Sequence, residues 1–92
     1  YIESAGNYVD IIYDDNGRIS RFSLRNTLKA IEPDCTRHGL VRCHRSYFLN
    51  LSKVKVLRRS PDGVVAEIDF PGVEDVPVTK SYVGEVFKRF NS

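Results

Sequence analysis

The chain has 92 residues, a net charge of +2, 41% hydrophobic and 28% charged residues, and two cysteines. This is the composition of one small globular domain, and it excludes a disulfide scaffold. No apolar run approaches the ~20 residues that cross a bilayer as a helix. With cysteines this few, a reducing, cytoplasmic setting is expected. The opening Tyr1-Ile2-Glu3-Ser4 carries neither an initiator Met nor the basic-then-apolar pattern of a secretory signal. Residues 1–92 are therefore expected to be a single domain cut from a longer chain.

In chain order, strand signals dominate. Tyr8 to Tyr13 is rich in β-formers and ends at Asp14-Asp15-Asn16-Gly17, where Asn-Gly tolerates the positive φ of a two-residue hairpin turn. Arg18 to Ser23 reads as the return strand, with Ile19 and Phe22 partly buried. Ser23 is placed to cap a helix starting at Leu24, since Leu24, Leu28 and Ile31 recur at helical spacing. Pro33 argues against continuing that helix past Glu32. A loop from Asp34 to Gly39 leads to a short strand at Leu40 to Cys43. Asn50 is positioned to close a turn over Leu51-Ser52-Lys53. Val54 to Arg59 and Val64 to Phe70 form a second hairpin across Ser60-Pro61-Asp62-Gly63. Val76 to Thr79 is the last strand. Ser81 then caps a closing helix whose apolar face is Val83, Val86, Phe87 and Phe90.

Charge is segregated along the chain. From Cys35 to Pro61 there are seven Lys or Arg and no Asp or Glu, so the remainder is net negative. Such a block is a plausible footprint for a polyanion. It is equally what a solvated basic face produces.

Catalytic and metal chemistry find little support. Cys35-x2-His38 followed by Cys43-His44 offers four potential zinc ligands within ten residues. Cys43 and His44 are adjacent, however, and neighbours on a strand point to opposite faces. The same adjacency defeats a Cys–His nucleophilic pair, which also lacks a third residue to orient the base. No Gly-rich phosphate loop is present. Neither enzyme activity nor a cofactor is expected. Cys43, between Arg42 and His44, would be a reactive thiolate if exposed. Strand alternation instead packs it inward beside Val41.

Three motifs in order resemble a known family. Val41-Arg42-Cys43-His44-Arg45-Ser46-Tyr47-Phe48-Leu49-Asn50 is similar to the core signature of the LytTR DNA-binding domain, the output module of many bacterial response regulators. Tyr1 to Val9 and Pro77-Val78-Thr79-Lys80-Ser81-Tyr82 resemble its flanking pieces. The resemblance implies an elongated, small β-sandwich of short antiparallel strands with two short helices. It also implies that the chain is the C-terminal part of a response regulator, lacking the domain's first hairpin.

The resemblance further implies double-stranded DNA as partner, with loops entering the grooves. Arg45, Lys80 and the Asn7/Tyr8 loop would reach bases, with Asn7, Tyr8 and Val9 competing for one role. Arg42, His44, Ser46, Ser81 and Tyr82 would position the backbone, and preferred bases would fall in two blocks. The full-length protein would bind as a dimer at repeated sites. A non-catalytic protein-interaction module, its basic face against an acidic partner, is the alternative.

Overall fold

The computed structural model describes residues 1–91. β1 (Ile2–Ala5) pairs antiparallel with β2 (Tyr8–Asp15), which pairs antiparallel with β3 (Arg18–Arg25). Asn16 and Gly17 take φ of 54° and 90°, the two positive values a tight hairpin needs, as the Asn-Gly pair predicts. α1 (Leu28–Arg37) follows, then β4 (Val41–His44) and β5 (Tyr47–Leu49). A 3-10 turn at Leu51–Lys53 leads into β6 (Val54–Ser60) and β7 (Gly63–Ile68). β8 (Val76–Val78) and α2 (Lys80–Phe90) complete the chain. The strands form a five-stranded sheet, β3-β2-β1-β5-β4, and a three-stranded sheet, β6-β7-β8.

Strand alternation divides the interior in two. One face of the larger sheet presents Ile2, Val9 and Phe48, covered by Leu28 and Cys35 of α1. The opposite face presents Val41, Cys43 and Leu49 to Val64, Ala66, Val76 and Val78 of the smaller sheet and to Val86 of α2. β4 and β5 thus lie between both cores. Burial of these aliphatic and aromatic groups, each contributing about 1.5–3 kcal/mol when fully removed from water, holds the layers together.

The mainly β layout with two helices is as expected, but several details differ. β3 runs on to Arg25, so Leu24 belongs to the strand and Thr27, not Ser23, caps α1 by accepting from the Ala30 amide at 3.1 Å. Ser23 instead donates to Asp10 across the hairpin at 2.6 Å. Ile19 and Phe22 are exposed rather than partly buried, and Ile19 lines an open cleft against Phe70. Pro33 sits inside α1, which continues to Arg37. A proline in a helix interior loses one hydrogen bond, and the helix nevertheless carries on to bury Cys35 two residues later. Finally, the molecule measures 31 × 29 × 25 Å, near-isotropic rather than elongated.

Other expectations hold. Asn50 closes the 3-10 turn by accepting from the Ser52 amide at 3.1 Å. Val86 of α2 is fully buried, and Val83, Phe87 and Phe90 pack beside it. The expected cap of α2 does not hold: Thr79 is the residue before the helix, so Ser81 lies inside it. No helix among the described residues is long and apolar enough to cross a membrane.

Candidate nucleic-acid interface

The turn between β4 and β5 is held by side-chain hydrogen bonds to its own backbone. The Arg42 guanidinium donates from Nε to the His44 carbonyl at 2.9 Å and from Nη2 to the Arg45 carbonyl at 2.6 Å. Its Nη1 reaches Glu32 of α1 at 3.1 Å, and its Cζ lies 5.2 Å from the centre of the Phe48 ring. The Ser46 amide donates to His44 Nδ1 at 3.0 Å, which leaves the ring proton of neutral His44 on Nε2. Burial, then the Arg45 and Arg42 charges, lower the His44 pKa below its ordinary value of 6.5. Arg45 itself extends into solvent.

Two backbone hydrogen bonds bring the other predicted loops to this turn. Ser4 donates its amide to the Ser46 carbonyl at 2.8 Å, tying the β1–β2 turn alongside. In that turn Gly6, not Asn7, takes the positive φ of 63°, so Asn7 and Tyr8 keep ordinary backbone and stand exposed. Thr79 donates to the Cys43 carbonyl at 3.0 Å, which sets Lys80, the first residue of α2, near the same place. The Thr79 side chain makes no capping bond, and no acidic residue lies in the first turn of α2. Its amide dipoles and the Lys80 ammonium therefore add to one positive end. The remaining predicted residues are less free: Ser46 is half-buried by its own turn, and Tyr82 packs onto the core with only Ser81 exposed beside it.

The linear basic block is partly cancelled in three dimensions. Arg37 pairs with Asp34, Arg42 with Glu32, and Arg58 with both Glu67 and Asp75. Among the described residues Arg45 and Arg59 of that block, with Arg25 and Lys80 from outside it, are in no ion pair and lie at the turn end. Arg25 stands opposite Tyr8 in the β2–β3 register. Arg59 adjoins the β6–β7 turn, where a Cβ added to Gly63 would meet the Val78 carbonyl at 2.9 Å and the Lys80 amide nitrogen at 4.0 Å. In sequence Arg59 is marked only as one of the basic block, and Arg25 is not marked at all. Arg25 is hidden by the misplaced start of α1, although its pairing with Tyr8 follows once the Asn-Gly register is carried back along the strands.

Cysteine chemistry is absent from this surface. Cys43 is fully buried, and burial pushes its thiol up to about 12 despite the Arg42 charge. Cys35 and Cys43 lie in different cores, on opposite faces of the sheet, so the four-ligand zinc pattern does not converge. A cleft of about 370 Å³, lined by Ile12, Ile19, Lys53 and Phe70 among others, includes Asp14 from the far end of β2.

The family model of the LytTr DNA-binding domain matches residues 1–91. This chain belongs to the LytTR family. The family is one of DNA-binding domains. No curated protein and no solved structure matches the chain.

Proposed function

We propose that this LytTR domain binds double-stranded DNA sequence-specifically through its turn end, as the non-catalytic output domain of a bacterial two-component response regulator in the cytoplasm. The observation that carries the reading is the convergence of three loops distant in sequence. The Ser4–Ser46 and Thr79–Cys43 bonds gather them, with unpaired Arg45 and Lys80 projecting. Arg45 suits bidentate capture of guanine O6 and N7. Lys80, on the uncapped N-terminus of α2, suits a base edge or the phosphate beside it. Asn7 and Tyr8 read from the first loop, while Ser81 and Tyr82 support the third. His44 offers its Nε2–H as a neutral donor. Arg45 and Lys80 enter different groove segments, so preferred bases fall in two blocks, and the intact protein binds repeated sites as a dimer.

Retention on a duplex selected from a random pool, titrated with salt, tests this reading. If Arg25, Arg59 and Lys80 each neutralise one phosphate while Arg45 reads a base edge, log K falls against log salt with a slope of about −2.7. Equal retention of selected and random duplexes, or a slope near zero, overturns it.

A further inference from the structure

We propose that Arg42 is a positioning residue, not a DNA contact: with Glu32 of α1 it braces the β4–β5 turn so that Arg45 is presented in one orientation. The proposal rests on the DNA-binding reading above and assigns the reach of Arg45 to a residue that does not touch DNA.

Almost every polar backbone group of the turn is accounted for. The carbonyls of His44 and Arg45 are both drawn to the Arg42 guanidinium, at 2.9 and 2.6 Å. The Ser46 amide is taken by His44 Nδ1 at 3.0 Å, and the Ser46 carbonyl by the Ser4 amide at 2.8 Å. The extended group left over is the Arg45 side chain. Turning two carbonyls inward has an electrostatic consequence as well. Their negative ends point away from the face a phosphate would approach, and the positive side chain points toward it.

Only an arginine meets these demands. The planar guanidinium satisfies two carbonyls and one carboxylate while its face rests on Phe48, a cross-strand partner 5.2 Å away. The Arg42 side chain is 22% exposed and its charge is met by Glu32 at 3.1 Å, whereas Arg45 is exposed and unpaired. A lysine keeps the charge but has one compact ammonium and no flat face. Arg42→Lys thus separates bracing from phosphate contact, which a truncation to alanine confounds.

The experiment compares wild type, Arg42→Lys, Glu32→Gln, Arg45→Ala and the Arg42→Lys/Arg45→Ala double variant, on selected and random duplexes across a salt series. Bracing predicts that Arg42→Lys weakens the selected duplex about five- to tenfold, the cost of re-ordering one or two side chains on binding. The random duplex changes less than about twofold and the salt slope stays at the wild-type value, since no phosphate contact is lost. In the Arg45→Ala background Arg42→Lys has little further effect, because residues acting as one unit are not additive. Glu32→Gln, on the exposed surface of α1, shifts selectivity in the same direction by a smaller factor and decides the matter if Arg42→Lys does not fold. In the free domain, the Ser46 amide exchanges faster in both variants. Full selectivity in Arg42→Lys, additive losses in the double variant, or an unchanged Ser46 amide overturns the brace. A wild-type domain that binds no duplex at low salt overturns the DNA reading instead, and the two failures are distinguishable.

Discussion

The β2–β3 and β4–β5 hairpins use the same antiparallel ladder to opposite ends. β2–β3 is the longer, with eight paired positions from Tyr8–Arg25 to Asp15–Arg18, yet β3 has no buried residue. β4–β5 pairs at only three positions, but Val41, Cys43, Phe48 and Leu49 are all buried between the two cores. Ladder hydrogen bonds largely replace bonds to water and contribute little net. Burial on both faces is what fixes a hairpin, and the candidate DNA-reading arginine sits on the fixed one. β3 is an open edge, and its Arg18, Arg21 and Arg25 discourage pairing with another chain, as charges on edge strands generally do.

Substitutions on the two hairpins should break or sharpen this contrast. The largest effect is expected for Phe48→Ala. It removes a nearly fully buried ring and the surface under Arg42, and costs about 3–5 kcal/mol. Urea denaturation should show a midpoint lowered by most of the stability of a domain this small. Cys43→Ser comes next, at about 1–3 kcal/mol, because the hydroxyl enters an apolar slot. Maleimide should label native Cys43 only at the rate of unfolding; fast labelling of the folded domain would contradict its burial. Arg45→Ala should leave stability alone, cost about 1–3 kcal/mol on the selected duplex and relax preference at one or two base pairs. Equal losses on selected and random duplexes would remove base reading from this turn.

Two smaller effects complete the series. His44 is held neutral in the fold, with its pKa below the ordinary 6.5. The unfolded chain therefore takes up the proton first as pH falls. The His44 contribution is fully present above about pH 6.5 and is lost as pH drops through the folded value. Protonation at Nδ1 also ejects the Ser46 amide, so selective binding should decline over the same acidic window and be flat above it. A His44→Asn variant that keeps the acid-induced decline would assign it elsewhere. Phe22→Ala on exposed β3 should change stability by no more than about 0.5 kcal/mol, despite deleting a whole ring.

Local chemistry made much of the fold legible. Asn16-Gly17, Asn50 and the apolar face of α2 each act within a few residues, and each lies where it was expected. The start of α1 was not legible, because Ser23 and Thr27 are equally good caps and Leu24 fits either period. What settles the choice is Asp10, whose carboxylate takes Ser23 and Arg21 across the hairpin at 2.6 and 2.7 Å. The role of Arg42 was hidden for a similar reason. Its partner Glu32 is ten residues away on another element, and Arg58 finds Asp75 seventeen residues away. A count of charges along the chain cannot see such pairings. The turn residues Arg45 and Lys80 carried a signal because their family motif did. Arg25 carried none and Arg59 only its membership of the basic block, since register and packing are what bring them to the same end.

Gly63 sets the terms on which this surface could be remodelled. Its φ of 142° and the 2.9 Å separation between an added Cβ and the Val78 carbonyl leave one residue type at that position. The tip before it, Pro61-Asp62, is exposed. Insertions between Ser60 and Asp62 could therefore lengthen a fourth finger beside Lys80 while the start of α2 stays in place. A change at Gly63 would push the Val78 carbonyl and displace Lys80 with it. In this fold the breadth of the reading surface is open to growth by insertion, and its alignment is guarded by a single missing methyl group.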